Sequence, residues 1–334
     1  MITNKSWNRR THYLEVLNNP LYKTLADIQN EICQKTHHFY LERGICTFHF
    51  PFTTSSISSP TGLGSDSTPV RVKLFGIETY LSDSMQFYLE YGCRLHKLRC
   101  FCILPSFRGE RADNTHLSQF YHSEVEIPGS FEDAINLAEK YLKYISLELL
   151  NKYKKQIQQF AGKVSHIETL CLTNKPFPRI SLEESIKIVG NKGVSINKKH
   201  SFRLINRVGE QKLIEEFGGF VWLTNMDHLS VPFYQAFSNS TEKKAKTADL
   251  LFGLGEGIGL GERHETAQQV RKALKLHRIP EQQYKWYTKL REKHPMKTSG
   301  FGLGVERFIC WLLNHNDIRD CQLFPRFNGK SSIL

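Results

Sequence analysis

No apolar run in the chain approaches the roughly 20 residues that a membrane-spanning helix needs, so an integral helical membrane protein is excluded. The opening residues, MITNKSWNRRTHYLEVLNNP, lack the apolar core of a signal peptide, and secretion is not expected. C-x-x-C pairs are missing too. The 8 cysteines are scattered from Cys33 to Cys321, and Cys100-Phe-Cys102 has no second ligand pair at zinc spacing. They are expected as reduced thiols of a cytoplasmic protein. The late glycine-rich stretch SGFGLGVER is not G-x-G-x-x-G, and the REKHPMKTS before it is no buried strand, which argues against a dinucleotide fold. It also lacks the G-K-[ST] ending of a P-loop. Internal repeats are absent.

What is present describes a globular protein. Its 334 residues are 40% hydrophobic and 23% charged, enough chain for one large domain or two modest ones. The formal charge of +12 calls for a polyanionic partner such as RNA, a nucleotide or several phosphates. Part of that excess lies in NKYKKQ and NKKH, which also read as solvated faces.

Along the chain, residues 1–20 read as a short tail ending at Pro20, and 21–43 as a long amphipathic helix. The polar loop TTSSISSPTGLGSDSTP is too long for a plain connection. Strands are expected at ICTFHF, VRVKLFG, ETYLS, LRCFCILPSF and FYHSEVEI, then a helix over 131–160. A lysine-rich stretch, 160–215, reads as an insertion. Strands return at GGFVWLTN, VPFYQAFS and TADLLFG, followed by a helix over 265–292 and a closing strand and helix. Strands without regular βα alternation predict an α+β fold with a largely antiparallel sheet.

Three stretches carry chemistry. In SGFGLGVER, residues two apart share a strand face, so Gly300, Gly302 and Gly304 leave one face bare before Glu306-Arg307. In FRGE, Arg108 and Glu110 stand at alternate positions of a strand that opens a hairpin; by itself this is also a common surface pair. In TADLLFGLGEGIGLGERHE, Asp249, Glu256 and Arg263 recur every seven residues among glycines. Two carboxylates beside a phosphate site are what Mg2+ requires.

In this order the stretches resemble the catalytic domain of class II aminoacyl-tRNA synthetases, within the aspartate/asparagine branch. FRGE is similar to motif 2, GFGLGVER to motif 3, and the DIRD…FPR that follows to this branch's usual ending. The helix ahead of Pro51 fits motif 1, which forms the homodimer. The resemblance spans about residues 21–330, broken at 160–215. It implies a flanked antiparallel sheet and an ATP-dependent, AMP-forming reaction that makes an acyl-adenylate. Arg108, Glu110 and Arg307 would be the catalytic set. ATP would be bound by Arg108, Glu110, Phe120, Glu256, Gly302, Gly304 and Arg307, with adenine on the bare glycines under the Arg307 guanidinium. Asp249 and Glu256 would hold Mg2+.

The amino acid would be bound by Ser84, Gln86, Glu90, Glu124 and Arg263. Leu89 stands where aspartate-specific relatives have lysine, and Glu124 where they have aspartate, which favours asparagine or another amide over aspartate. His264 stands where a glutamate is usual. The acceptor is open at this point. The branch's N-terminal OB-fold, which grips the anticodon, has no counterpart in the twenty or so residues before the core. Free-standing cores of this branch exist as archaeal-type asparagine synthetases, which pass activated aspartate to ammonia. The leading expectation is therefore an amide-forming ligase using ammonia or another small amine. The alternatives are a compact tRNA-charging enzyme, supported by the charge, and a non-catalytic amino-acid sensor.

Overall fold

The structure, a computed structural model, describes residues 11–59, 61–64, 67–238 and 242–326. Residues 1–10 of the expected tail and 327–330 of the expected core lie outside them. The rest of that tail is not loose chain. It forms α1 (His12–Asn18), whose buried His12 reaches the Leu323 carbonyl at 2.9 Å. Asn19 then accepts from the Leu21 N–H, and Pro20 takes the first position of α2 (Pro20–Leu41), where its missing N–H is not needed.

Two short strands follow, β1 (Ile45–Cys46) and β2 (Thr53–Thr54), then the hairpin of β3 (Arg71–Leu74) and β4 (Ile77–Leu81). Helix α3 (Gln86–Arg94) precedes a longer hairpin, β5 (Arg99–Phe107) and β6 (Gln119–Pro128). A Ser130/Asp133 capping box opens α4 (Phe131–Ala161), and Gly162 at φ +75° ends it. Next come α5 (Ser165–Leu172), β7 (Arg179–Ser181), α6 (Leu182–Val189), β8 (Val194–Asn197), β9 (Phe202–Ile205) and α7 (Arg207–Glu216). The last third holds β10 (Val221–Thr224), β11 (Thr247–Phe252), β12 (Gly255–Glu262) and α8 (Ala267–Leu276). It closes with α9 (Lys285–Lys293), β13 (Thr298–Gly304) and α10 (Val305–Leu312).

One sheet of eight strands runs β1-β5-β6-β13-β12-β11-β10-β7. Its pairs are antiparallel except at the two edges, β1 with β5 and β10 with β7. This is the α+β architecture that the sequence predicts. Strand alternation separates its two faces. Val125, Ile127, Ile258, Leu260, Phe301 and Leu303 pack into a core with Leu25 and Ile32 of α2, Tyr141 and Ile145 of α4, and Phe308 of α10. Burying one such side chain contributes about 1.5–3 kcal/mol. The residues between them, among them His122, Glu124 and Glu126 beside the glycines of β13, belong to the opposite face.

The 160–215 stretch, expected as an insertion, packs on the same sheet: β7 is an edge strand, and Leu182 and Leu213 pack on Val221, Leu223 and Leu251 over its second face. Several other expectations are corrected. VPFYQAFS forms no strand. Pro232 has no N–H to give a ladder, its carbonyl accepts the Gln235 N–H in a turn, and only the bridges Gln235–Arg263 and Phe237–Ala245 remain. The helix expected over 265–292 is two helices, interrupted by Arg278 at φ +59° and by Pro280. ICTFHF is reduced to the two residues of β1. The 8 cysteines are free, and among the described residues no helix is long and apolar enough to cross a membrane.

Candidate active site

A cavity of about 380 Å3 opens on the second face of the sheet, lined by Ser84, Gln86, Glu124 and Arg263 among others. Glu124, on β6, accepts from the Met85 N–H at 2.7 Å and from the Ser84 hydroxyl. Burial raises its pKa, and those same donors pull it back down. Arg263 stands just past β12. Its Nη1 donates to Gln235 Oε1 at 2.7 Å, and its Nε and Nη2 donate to Glu126 at 3.0 to 3.3 Å. A guanidinium carries five N–H groups, so two are left without a protein partner.

Glu126 and Gln235 explain part of the glycine pattern. A Cβ on Gly300 would collide with Glu126 Oε2, and one on Gly261 with Gln235 Oε1. At these positions the bare strand face is filled by the side chains that hold Arg263, so Gly300 is not part of an open floor.

Glu90 is a further correction. It was expected in the amino-acid pocket, yet it does not line the cavity. Gln86 and Glu90 share one face of α3, a turn apart, and the deeper Glu90 is fully buried against α9. There it forms an ion pair with Arg291 and accepts from the Tyr287 hydroxyl at 2.9 Å. Burial opposes its charge, but Arg291, Arg263 and Arg94 outweigh burial and lower its pKa. Its link to the cavity is indirect: Gln86 Nε2 donates to Glu90 Oε1 at 3.1 Å. Leu89, at the position of the missing lysine, does line the cavity. His264 is buried with both ring nitrogens unpaired, packed near Phe237.

A second cavity of about 100 Å3 adjoins the first. Arg108, Glu110, Phe120, Glu256, Gly302, Gly304 and Arg307 all line it, so the structure brings together the whole set expected to bind ATP. Here the floor is open: a Cβ on Gly302 or Gly304 would meet no atom closer than 3.4 or 3.7 Å. Arg307 lies in the first turn of α10 and donates to the Glu256 carbonyl and, at 3.5 Å, to the Thr115 carbonyl. Glu306, its neighbour in the expected acid–base pair, turns inward instead. It accepts from the Tyr121 N–H and Gln322 Nε2, at 2.9 and 2.8 Å, and burial pushes its pKa up to about 7.

Strand β5 stops at Phe107, so Arg108 and Glu110 stand in the turn just beyond it and not on the strand. The Arg108 guanidinium lies 5.4 Å from the Phe120 ring and 4.0 Å from Glu110, and its buried Nε has no partner among the described residues. Glu110 accepts from the Thr68 N–H at 3.0 Å, while the Gly109 N–H donates to the Thr68 carbonyl at 2.6 Å. These two bonds fasten Thr68, near the end of the polar loop, beside the cavity. Among the described residues, five line both cavities: Arg108, His122, Glu256, Gly259 and Gly302.

The carboxylates of Asp249 and Glu256 converge over Gly259, where a Cβ would stand 2.8 Å from Glu256 Oε1 and 3.9 Å from Asp249 Oδ1. Glu210 of α7, a residue that the sequence did not single out, lines the same cavity. Burial, then Glu256 and Glu210, raise the pKa of Asp249 well above the usual carboxylate range; burial and Glu256 push Glu210 up to about 7. Among the described residues no three His, Cys, Asp or Glu side chains are arranged to hold a metal alone. Two hard oxygen donors over a bare glycine nevertheless fit Mg2+, which takes its other ligands from phosphate and water.

The family of class II tRNA synthetases (D, K and N) matches residues 4–328. The asparagine–tRNA ligase of Pyrococcus abyssi is 33% identical over 265 residues, 78% of this chain and 59% of that protein. That of Pelotomaculum thermopropionicum is 29% identical over 311 residues, 92% of this chain and 70% of its own. The chain thus spans about three-fifths to seven-tenths of these relatives' lengths. The crystal structure of Pyrococcus horikoshii asparaginyl-tRNA synthetase complexed with asparaginyl-adenylate superposes with a TM-score of 0.86 at 26% identity, covering 96% of this chain and 72% of that one. With the fold, the glycine floor and both arginines in place, the chain belongs to the class II tRNA synthetase family of the D, K and N group.

Proposed function

We propose that this protein is an ATP-dependent ligase that joins the carboxylate of asparagine to the α-phosphate of ATP, releasing pyrophosphate, and passes the acyl group to tRNA. One observation carries the reading: the two cavities meet at Arg108, whose buried Nε has no protein partner. An anionic oxygen supplied by substrate would satisfy it.

In this reading the large cavity takes the amino acid. Ser84, Gln86 and Glu124 receive its ammonium group, and the two uncommitted N–H groups of Arg263 hold the side-chain amide oxygen. Leu89 offers no charge to a second carboxylate. ATP lies in the smaller cavity, with adenine on Gly302 and Gly304 between Phe120 and Arg307, and Glu110 orienting the nucleotide. Arg108 stands where negative charge builds on the α-phosphate, and one such donor accounts for about 10²–10³ in rate. No side chain forms a covalent bond to substrate; positioning and electrostatics suffice. Asp249 and Glu256 would hold Mg2+, which neutralises phosphate charge when bound. A homodimer through the motif 1-like region of α2 is part of the proposal, tested by light scattering.

The relatives named above act on tRNA, which moves the preferred acceptor from ammonia, the leading expectation from sequence, to tRNA. The charge of +12 points the same way. Purified protein incubated with ATP, radiolabelled asparagine and total tRNA should give acid-precipitable aminoacyl-tRNA. AMP release that responds to ammonia or hydroxylamine and not to tRNA would restore the amide-forming alternative.

A further inference from the structure

The adenylation reading leaves one residue at the junction without a task. Of the five residues that line both cavities, Gly259 and Gly302 form floor, Arg108 meets phosphate and Glu256 belongs to the acidic pair; the fifth is His122. It stands on β6 directly opposite Gly304 and two residues before Glu124.

Its ring is held in place. Nδ1 lies 2.9 Å from Ser106 Oγ and 3.5 Å from Glu124 Oε1, Phe120 packs edge-on at 4.7 Å, and Cδ2 is 3.9 Å from where a Cβ on Gly302 would stand. Among the described residues, none is a partner of Nε2. The side chain is 16% exposed, and what it faces is the cavity junction. Burial, then the charges of Arg108 and Arg307, push its pKa down to about 3, so the imidazole is neutral at ordinary pH. A neutral imidazole carries one proton. In the tautomer whose Nδ1 accepts from the Ser106 hydroxyl, that proton sits on Nε2.

Resting on the adenylation reading, we propose that His122 is a catalytic residue whose Nε2–H donates to a non-bridging oxygen of the ATP α-phosphate as the acyl-adenylate forms. In that step a carboxylate oxygen forms a bond to the α-phosphorus, the bond from the α-phosphorus to the bridging oxygen breaks, and pyrophosphate leaves with the electron pair. No proton moves. His122 keeps its own and stabilises charge beside Arg108, as a preorganised donor at developing negative charge does.

The amide side chains separate the two ring nitrogens: His122→Gln places a donor near Nε2, and His122→Asn places one near Nδ1. Asparagine-dependent ATP–pyrophosphate exchange should keep kcat within about tenfold in His122→Gln and lose about 10²-fold in His122→Asn and His122→Ala, with KM for ATP and asparagine nearly unchanged. Urea midpoints taken on the same samples show whether each variant is folded. Should His122→Ala fail to fold, the Gln and Asn pair decides alone. Equal kcat in Gln and Asn variants, or an Ala variant within threefold of wild type, overturns the assignment. Wild-type protein that gives no exchange with any amino acid would instead overturn the adenylation reading beneath it.

Discussion

Arg263 and Glu126 meet at 3.0 Å with their side chains only 4% and 1% exposed. The pair sits behind the proposed amino-acid pocket and aims a guanidinium that would otherwise be free to turn. Burial pushes the Glu126 pKa up to about 7 while Arg263 pulls it back.

Removing one member of such a pair leaves a buried charge uncompensated. Glu126→Ala should therefore lose about 3–5 kcal/mol of stability, read as a lower urea midpoint. Glu126→Gln, which keeps an oxygen for Arg263, should lose less. A midpoint unchanged in the alanine variant would mean that the pair does not fix Arg263.

The glycines of β13 should separate into two kinds. At Gly300 a Cβ would strike the Glu126 carboxylate and the Val125 carbonyl, whereas at Gly302 its closest neighbour would be Glu124 Cγ at 3.4 Å. Gly300→Ala should cost about 1–3 kcal/mol as an overpacked site. Gly302→Ala should stay within about 0.5 kcal/mol of wild type and act on KM for ATP instead. Equal stability losses would contradict an open floor at Gly302.

A buried histidine pair sets an acid limit. His228 Nδ1 and His277 Nε2 stand 3.0 Å apart. Burial takes His228 down to about 4, and burial with the neighbouring His228 takes His277 to about 3. The unfolded value is about 6.5. Above it both states are neutral and the pair adds no pH dependence. As pH falls from about 6.5 toward 4, the unfolded chain binds protons that the folded one refuses, and stability is lost. His277→Gln should show a shallower decline of urea midpoint over that window; an identical slope would contradict the buried neutral pair.

How far the site can be read from sequence depends on whether a residue's role is local. Gly302, Gly304 and Arg307 were legible because strand period two and a helix start lie within one short stretch. Arg108 and Glu110 were legible as a pair, but their place in a turn was not, since the end of β5 is decided by its ladder with β6. Glu126, Gln235 and Glu210 were missed. Their roles arise where β6, an irregular segment and α7 meet β12, and no spacing along the chain records those meetings. Glu90 misled for the same reason: its position in α3 was right, and the arginine that claims it comes from α9, two hundred residues later.

In the proposed reaction a nucleotide and a carboxylate come together at Arg108 and Arg307 over an open glycine floor. Asparagine-dependent exchange of labelled pyrophosphate into ATP tests it most directly. The wild-type protein should give exchange, with a loss of about 10²–10³-fold, or ~3–4 kcal/mol, in Arg108→Ala and in Arg307→Ala. Folded variants that keep more than a tenth of wild-type exchange would contradict it.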